Sequence, residues 1–303
     1  MRAPNKIASQ VAVGGLAAVT GYWGVVFGEI IVAKRAIGVT DARPPRADGV
    51  YGEDLPRDPV RCLVLGDSAA VGYGMSRADA TPPAMLGIGL AHVLDAQVEI
   101  RSEAVVGAVT SDLRDQIEAA GDFDPDLVVI IIGTNDVTHR VPAYQSTRLL
   151  GSAVRRLVDG GAQVVVGTCP DLGTVRPIPQ PLRWIARRKS RALARKQTIA
   201  VVRAGGRAVS LGSLLGVLFT EKYDVMFGED RFHPSETGYA NMVSVLVPSL
   251  AAAWRERDRD FAVAHFGGSP GTMSLTDAAE RAGERDGTEV TRDGRWARIL
   301  RRR

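Results

Sequence analysis

The feature that most constrains the fold is a regular alternation of apolar runs and helical stretches between residues 60 and 257. The apolar runs are short, rich in β-branched residues and mostly continuous, a pattern typical of strands that are covered on both faces. Strands that alternate with helices form right-handed βαβ units, which build a parallel sheet with helices on both sides. The sequence therefore predicts a three-layer α/β fold around a five-stranded parallel sheet.

The predicted strands are Cys62–Gly66, Val98–Val105, Leu127–Gly133, Val164–Thr168 and Ala208–Leu211. The predicted helices cover residues 83–94, 108–120, 143–159, 183–204 and 235–257. Because Pro234 and the good N-cap residue Ser235 precede the last of these helices, its start is the most clearly marked.

Composition divides the chain into four segments. Residues 1–35 contain an apolar stretch, residues 36–60 are punctuated by Pro, Gly and Asp and predict a linker, and residues 61–257 form the α/β domain. Residues 258–303 predict a charged tail, either solvated and partly disordered or attached through its basic end to an anionic membrane face. The net charge of +4 over 303 residues is too small an imbalance to predict a nucleic-acid partner.

The apolar stretch near the start of the chain predicts membrane association. Residues 10–28 are nineteen uncharged residues, which is about the length that spans a bilayer. Residues 10–32 therefore predict an apolar helix that anchors the protein in a membrane, while a cleaved signal peptide and a soluble or interfacial helix stay open as alternatives. Basic residues flank the stretch on both sides and leave its orientation unsettled. We expect the α/β domain to face the extracytoplasmic side, in the cell envelope.

Ser68 lies in the turn that follows the first predicted strand, within Gly66-Asp67-Ser68. Open α/β sheets bind their ligands at the carboxyl ends of the strands. A serine hydroxyl at that edge projects into a crevice, and its backbone N–H is free to face a substrate. Ser68 is therefore a candidate nucleophile, which requires a base, an orienting acid and oxyanion donors nearby.

His233 is the candidate base, because Asp230 precedes it by three residues on a turn. A carboxylate at that spacing can fold back onto one ring nitrogen, which fixes the tautomer and stabilises the imidazolium. The turn lies between the last predicted strand and the last predicted helix, at the same sheet edge as Ser68. A surface ion pair is the alternative interpretation of these two residues.

Two further turns at this edge contain candidate oxyanion donors. Asn135 follows the third predicted strand and is a neutral donor, suited to hold an oxyanion without trapping it. Gly107 follows the second predicted strand, where its backbone N–H can join an oxyanion hole and its missing side chain permits close approach. Each residue, taken alone, is also typical of an ordinary turn.

Together these turns resemble the SGNH (GDSL-type) hydrolase family over about residues 60–245. The blocks that carry the resemblance occur in the family's order: Gly66-Asp67-Ser68, Gly107, Gly133-Thr134-Asn135-Asp136 and Asp230-Arg231-Phe232-His233. The resemblance implies a flavodoxin-like fold and a catalytic triad of Ser68, His233 and Asp230. It also implies an oxyanion hole made of the Ser68 and Gly107 backbone N–H groups and the Asn135 side chain. Asp67 and Asp136 are expected to hold their loops through side-chain to backbone hydrogen bonds.

The activity that the resemblance implies is hydrolysis of carboxylic esters, as a serine esterase or lipase acting through an acyl-enzyme. The expected substrate is a small-molecule, lipid or glycan ester. No cofactor or metal is expected, because no Cys/His cluster has ligand spacing and no glycine-rich loop matches a nucleotide fingerprint. Two alternatives stay open: an acyltransferase acting on a cell-envelope glycan or lipid, and a non-catalytic binding protein that keeps the fold.

Two stretches near the predicted site have an open role. The helix over residues 183–204 contains a basic cluster in residues 183–196, either a solvated face or a patch for lipid headgroups or an anionic substrate. Four apolar residues precede the Asp230–His233 turn, either as core or as the lining of an acyl pocket: Leu218, Phe219, Met226 and Phe227.

Overall fold

The computed structural model describes residues 44–257 and 289–290. The predicted membrane segment, residues 10–32, lies outside the described residues, as does most of the predicted charged tail. Among the described residues, no helix is both long enough and apolar enough to cross a membrane.

A single seven-stranded sheet forms the middle layer. Its strands are β1 (Gly49–Tyr51), β2 (Val60–Gly66), β3 (Val98–Ser102), β4 (Leu127–Ile131), β5 (Gln163–Gly167), β6 (Arg207–Val209) and β7 (Glu289–Val290). The order across the sheet is β1-β3-β2-β4-β5-β6-β7. The five central strands are parallel to one another, in the order β3, β2, β4, β5 and β6. Strands β1 and β7 lie at the two edges and run antiparallel to their neighbours.

The five predicted parallel strands are therefore confirmed, but the prediction of a five-stranded sheet is wrong because each edge carries one further strand. Strand β1 lies inside residues 36–60, which were predicted to be a linker. It has only three residues, mostly exposed, so no apolar alternation marks it in the sequence. Strand β6 also ends earlier than predicted, because Leu211 begins a helix.

Nine α-helices occur among the described residues. They are α1 (Ser68–Val71), α2 (Pro82–Leu94), α3 (Leu113–Ala119), α4 (Thr134–Thr138), α5 (Ala143–Asp159), α6 (Leu182–Arg203), α7 (Leu211–Glu221), α8 (Tyr223–Met226) and α9 (Glu236–Arg257). The five predicted helices correspond to α2, α3, α5, α6 and α9. The prediction over 108–120 was too long, since a 3₁₀ turn at Thr110–Asp112 precedes α3.

Apolar side chains cover both faces of the sheet. Alternate residues of a strand point to opposite sides, so Val64 and Val129 pack with α2, α7 and α9, whereas Leu65 and Ile130 pack with α3, α5 and α6. This arrangement confirms the predicted three layers. It also brings the carboxyl ends of β2, β3, β4 and β5 to one edge of the sheet.

The turn after β2 is fixed to its neighbours through the backbone of Gly66. Its φ is +138°, and a Cβ at this position would lie 1.9 Å from the Ile131 carbonyl oxygen, so only glycine fits. The side chain of Gln116, in α3, accepts a hydrogen bond from the Gly66 N–H and donates one to the Gly66 carbonyl, both at 2.8 Å. The next residue, Asp67, donates its N–H to the Ile131 carbonyl at 3.0 Å. These contacts set where Ser68 leaves the sheet.

Asp67 is almost completely buried beneath this turn. Its Oδ1 accepts a hydrogen bond from the Ala69 N–H at 3.0 Å and caps α1, while its Oδ2 has no hydrogen-bond partner among the described residues. Burial raises the pKa of Asp67 to about 7, and the nearby Asp136 adds to the rise. The Ala69 N–H, which donates to Oδ1, and the nearby N–H groups of Gly133 and Thr134 oppose this rise by favouring the carboxylate. The folded protein therefore holds a proton on this carboxyl in weakly acidic solution.

We expect Asp67→Asn to flatten the dependence of stability on pH between about 4 and 7. In that range the unfolded wild-type chain has lost the Asp67 proton while the folded chain keeps it, so the free energy of unfolding falls as the pH rises. The asparagine is neutral and its oxygen can still cap α1. The difference in free energy of unfolding between the wild type and Asp67→Asn should grow with pH toward a limit of about 4 kcal/mol.

The measurement is urea unfolding of both proteins at several pH values across this range. The matched control is Asp95→Asn, at an exposed position where asparagine tolerates the left-handed backbone with φ of +51°. The control should follow the wild-type slope. Parallel curves for wild type and Asp67→Asn would contradict the raised pKa.

Candidate active site

Three side chains form a hydrogen-bonded chain at the carboxyl edge of the sheet. The Nε2 atom of His233 lies 2.9 Å from the Ser68 Oγ, and the Nδ1 atom lies 2.5 Å from the Asp230 Oδ2. Ser68 is the first residue of α1, whereas His233 and Asp230 lie on the turn before α9. The structure therefore brings together all three residues of the predicted triad.

Asp230 fixes the protonation of the imidazole. Burial would raise the pKa of this carboxyl, but hydrogen bonds from the His233 ring and from the N–H groups of Phe232 and His233 outweigh it and lower the pKa. Both N–H groups donate to Oδ1 at 2.9 Å. A carboxylate only accepts hydrogen bonds, so the His233 Nδ1 carries the proton. The His233 Nε2 is then free to accept a proton from the Ser68 hydroxyl.

The turn that carries Asp230 and His233 is held by backbone contacts. Arg231, between them, has a φ of +58°, in the left-handed region that residues other than glycine rarely adopt. The Tyr223 hydroxyl donates to the Arg231 carbonyl at 2.8 Å, and the Gly228 N–H donates to the His233 carbonyl at 2.9 Å. These bonds keep the strained turn, and with it the imidazole, in one place.

Aromatic rings pack against the imidazole, a feature that the motif-based analysis missed. The Tyr73 ring centroid lies 4.4 Å from that of His233, and the Phe232 centroid lies 5.0 Å away at 78°. The buried Tyr239 hydroxyl donates to the Tyr73 carbonyl at 2.9 Å. The only available signal was the position of Tyr73 in the glycine-rich turn after Ser68.

The predicted oxyanion donors lie on the turns that follow three neighbouring strands, β3, β2 and β4. Gly107 is exposed, with a φ of +84°, and the Asn135 side-chain amide donates to the Ala108 carbonyl at 3.0 Å. This bond ties Asn135 to the residue after Gly107. Within the part of the chain that the structure describes, the backbone N–H groups of Ser68 and Gly107 and the second amide hydrogen of Asn135 make no hydrogen bond. Three donors are thus left for a substrate.

Asp136 holds the loop beside these donors, in agreement with its expected role. This buried carboxylate accepts the Thr110 N–H at 3.2 Å. The Thr110 hydroxyl in turn lies 3.0 Å from the Ser146 hydroxyl, which belongs to α5. The loop that carries Gly107 is therefore attached to both α4 and α5.

A cavity with a volume of about 80 Å³ begins at Ser68 and His233 and runs beneath α7. Its lining is largely apolar. Of the four apolar residues predicted as possible pocket lining, Phe219 and Phe227 do line it. Leu218 and Met226 do not, and pack instead with the core, because helical geometry turns them to other faces of α7 and α8.

The basic cluster on α6 is partly structural. Asp171, buried at the wall of the cavity, forms ion pairs with Arg191 at 2.8 Å and Arg187 at 3.4 Å. Arg188 stacks over the exposed Trp184 ring at 4.8 Å. Two of the clustered cations therefore neutralise a buried carboxylate instead of facing solvent alone.

No group of three or more His, Cys, Asp and Glu side chains within residues 44–257 and 289–290 could hold a metal ion.

Comparison with known proteins agrees with this geometry. The family model described as "GDSL-like Lipase/Acylhydrolase family" matches residues 64–240, more than half of the chain. A GDSL-like esterase of Mycobacterium tuberculosis is 37% identical over 289 residues, which cover 90% of this chain and 91% of the relative.

Solved structures show the same fold at lower identity. The crystal structure of TesA is 20% identical with a TM-score of 0.51, covering 64% of this chain and 99% of TesA. A catalytic mutant of Axe2, an acetylxylan esterase from Geobacillus stearothermophilus, is 18% identical with a TM-score of 0.51, covering 65% of this chain and 96% of Axe2. From the family match and the mycobacterial relative, we conclude that the chain belongs to the GDSL-like lipase/acylhydrolase family, the SGNH hydrolases.

Proposed function

We propose that the protein hydrolyses carboxylic esters through an acyl-enzyme formed on Ser68. The observation that carries this proposal is the chain of contacts from Ser68 through His233 to Asp230, at 2.9 and 2.5 Å. Such a chain supplies a nucleophile, a general base and a group that orients the base. The mycobacterial relative, whose name describes an esterase, supports the same reaction class.

In the first half of the reaction, the Ser68 oxygen attacks the ester carbonyl carbon while His233 Nε2 takes the serine proton. Asp230 stabilises the imidazolium that forms. When the tetrahedral intermediate collapses, the bond from carbon to the leaving oxygen breaks and His233 returns the proton to the departing alcohol. In the second half, His233 removes a proton from water as the water oxygen attacks the acyl carbon. The bond from that carbon to the Ser68 oxygen then breaks, His233 returns the proton to this oxygen, and the acid is released.

The negative oxygen of each tetrahedral intermediate is assigned to the Ser68 N–H, the Gly107 N–H and the Asn135 amide. Their support is positional: the three donors follow adjacent strands, and among the described residues the two N–H groups and the second amide hydrogen of Asn135 make no hydrogen bond. Donors that are already oriented stabilise the developing charge without reorganisation during the reaction.

We expect Ser68→Ala to lower kcat for p-nitrophenyl acetate by roughly 10⁴-fold or more, because the variant has no nucleophile. The wild type should also be labelled covalently by a fluorophosphonate probe, and the variant should not. The matched control is Ser111→Ala, at an exposed serine, which should keep wild-type activity and labelling.

Three outcomes would count against the proposal. Full activity in Ser68→Ala would remove Ser68 from the mechanism. A folded wild type that the probe does not label would favour a non-catalytic binding protein. Loss of ester without an equal release of free acid, when a sugar or lipid acceptor is present, would favour an acyltransferase.

We expect Asn135→Ala to lower kcat by roughly 10²- to 10³-fold with little change in KM, because an oxyanion donor acts mainly in the transition state. Labelling by the fluorophosphonate should become slower by a comparable factor, since phosphonylation develops a similar charge. The measurement is steady-state kinetics on p-nitrophenyl acetate. A change in kcat of less than about threefold would exclude Asn135 from the oxyanion hole.

We also propose that residues 10–32 anchor the protein in a membrane with the catalytic domain on the extracytoplasmic side. The support is the length and lack of charge of residues 10–28. The full chain should sediment with membranes and resist a carbonate wash, whereas a variant lacking residues 1–43 should not sediment. In intact cells with a permeable outer layer, external protease should cleave the catalytic domain. Recovery of the full chain in the supernatant, or protection from external protease, would contradict this assignment.

A further inference from the structure

The cavity beside Ser68 has the character of a binding site for hydrocarbon. Its walls come from the loop after β5, from α7 and from α9. Most of the lining side chains are apolar, among them Leu172, Val175, Leu211, Leu215, Phe219 and Met242. The one buried carboxylate at its wall, Asp171, is neutralised by Arg187 and Arg191. The cavity therefore offers dispersion contacts and few hydrogen bonds.

Two glycines on α7 leave this space open. Gly212 and Gly216 lie four residues apart, on the same face of the helix as Leu215 and Phe219, and all four line the cavity. A Cβ at Gly216 would have no atom within 4 Å, whereas one at Gly212 would lie 3.2 Å from the Asp171 backbone nitrogen. A side chain placed at position 216 would therefore enter empty space without moving the backbone.

The two halves of an ester have different needs at this site. Water that hydrolyses the acyl-enzyme must reach His233 where the alcohol departed, so the alcohol side must stay open to solvent. The His233 side chain is 15% exposed and provides such an approach. A largely apolar cavity is poorly suited to deliver that water, because it offers few polar partners. The cavity therefore suits the acyl half.

We propose that this cavity binds an unbranched aliphatic acyl chain and that the missing side chain at Gly216 sets the chain length accepted. The inference rests on the proposed ester hydrolysis and names its substrate class. At about 10–15 Å³ for each water-sized group, a volume of about 80 Å³ holds roughly five to eight groups. Acyl groups of about four to eight carbons should therefore fit, and longer ones should not.

The test is kcat/KM for a series of p-nitrophenyl esters from acetyl to dodecanoyl. In the wild type, kcat/KM should rise by up to about fourfold for each methylene that enters the cavity, and then fall beyond about eight carbons. In Gly216→Leu, the new side chain fills the cavity. We expect kcat/KM for the octanoyl ester to fall at least tenfold, with the value for the acetyl ester within about twofold of wild type.

Two companion variants make the comparison specific. Gly216→Ala adds one carbon at the same place. It should also shift the optimum of kcat/KM toward shorter acyl chains, by less than Gly216→Leu does. Val217→Leu enlarges the next residue of α7, which is 55% exposed, and should leave the profile unchanged. If Gly216→Leu does not unfold cooperatively, Gly216→Ala decides: a shorter optimum supports the proposal, and an unchanged optimum overturns it.

A second series, acetate esters of alcohols of increasing length, distinguishes the two halves of the substrate. Its kcat/KM profile should be the same in wild type and Gly216→Leu. An effect of Gly216→Leu on alcohol length instead of acyl length would overturn the assignment, as would an equal loss for all acyl esters.

The proposed function and this inference fail in different ways. If the wild type hydrolyses no ester in either series, the proposed function fails. If it hydrolyses the acetyl ester with a chain-length profile that Gly216→Leu does not alter, only the acyl-chain inference fails.

Discussion

A hydrogen bond between Ser68 and His233 joins residues that are 165 positions apart in the chain. It forms because the parallel strands all end at one edge, where the turn after β2 meets the turn before α9. The close approach of Gly66 to the Ile131 carbonyl fixes the first of these turns, and the bonds of Tyr223 and Gly228 fix the second. A site made of three side chains thus depends on backbone contacts made by several other residues.

Three carboxyl groups lie near Ser68, and each has a different environment. Asp230 lies in the turn among N–H donors, which lower its pKa and keep it ionised beside the imidazole. Asp67, behind Ser68, is almost completely buried, and this burial raises its pKa to about 7. Asp171, at the cavity wall, forms ion pairs with Arg187 and Arg191 of α6. Asp67 and Asp230 therefore differ in the direction of their pKa shifts because their burial and their hydrogen-bond partners differ.

The sequence-based predictions were most successful where chemistry and topology coincide. Ser68 and the oxyanion candidates Gly107 and Asn135 follow strand ends, so predicting the strands was enough to place them at one edge. Asp230 and His233 lie further along the chain, because α7 and α8 separate their turn from the end of β6. The cavity was predicted only in part. In the sequence, the apolar residues of α7 look like core residues, and no pattern shows whether the two glycines of this helix leave space for a cavity or mark a turn. Gln116 and Tyr239 were missed because a buried polar side chain becomes recognisable only when its partner is known. Strand β1, with three residues, was too short to show the alternation of apolar and polar residues that marks a strand.

The turn that carries Asp230 and His233 makes this carboxylate and imidazole a local unit, three residues apart, whereas Ser68 comes from a distant part of the chain. Closing a short loop costs little conformational entropy, and bringing distant segments together costs more, a cost that the packed sheet and α9 offset. Loosening of the contacts around α9 would therefore separate His233 from Ser68 while leaving Asp230 with its histidine. The proposed activity is therefore more sensitive to partial opening than the contact between Asp230 and His233, and it should be lost before the fold.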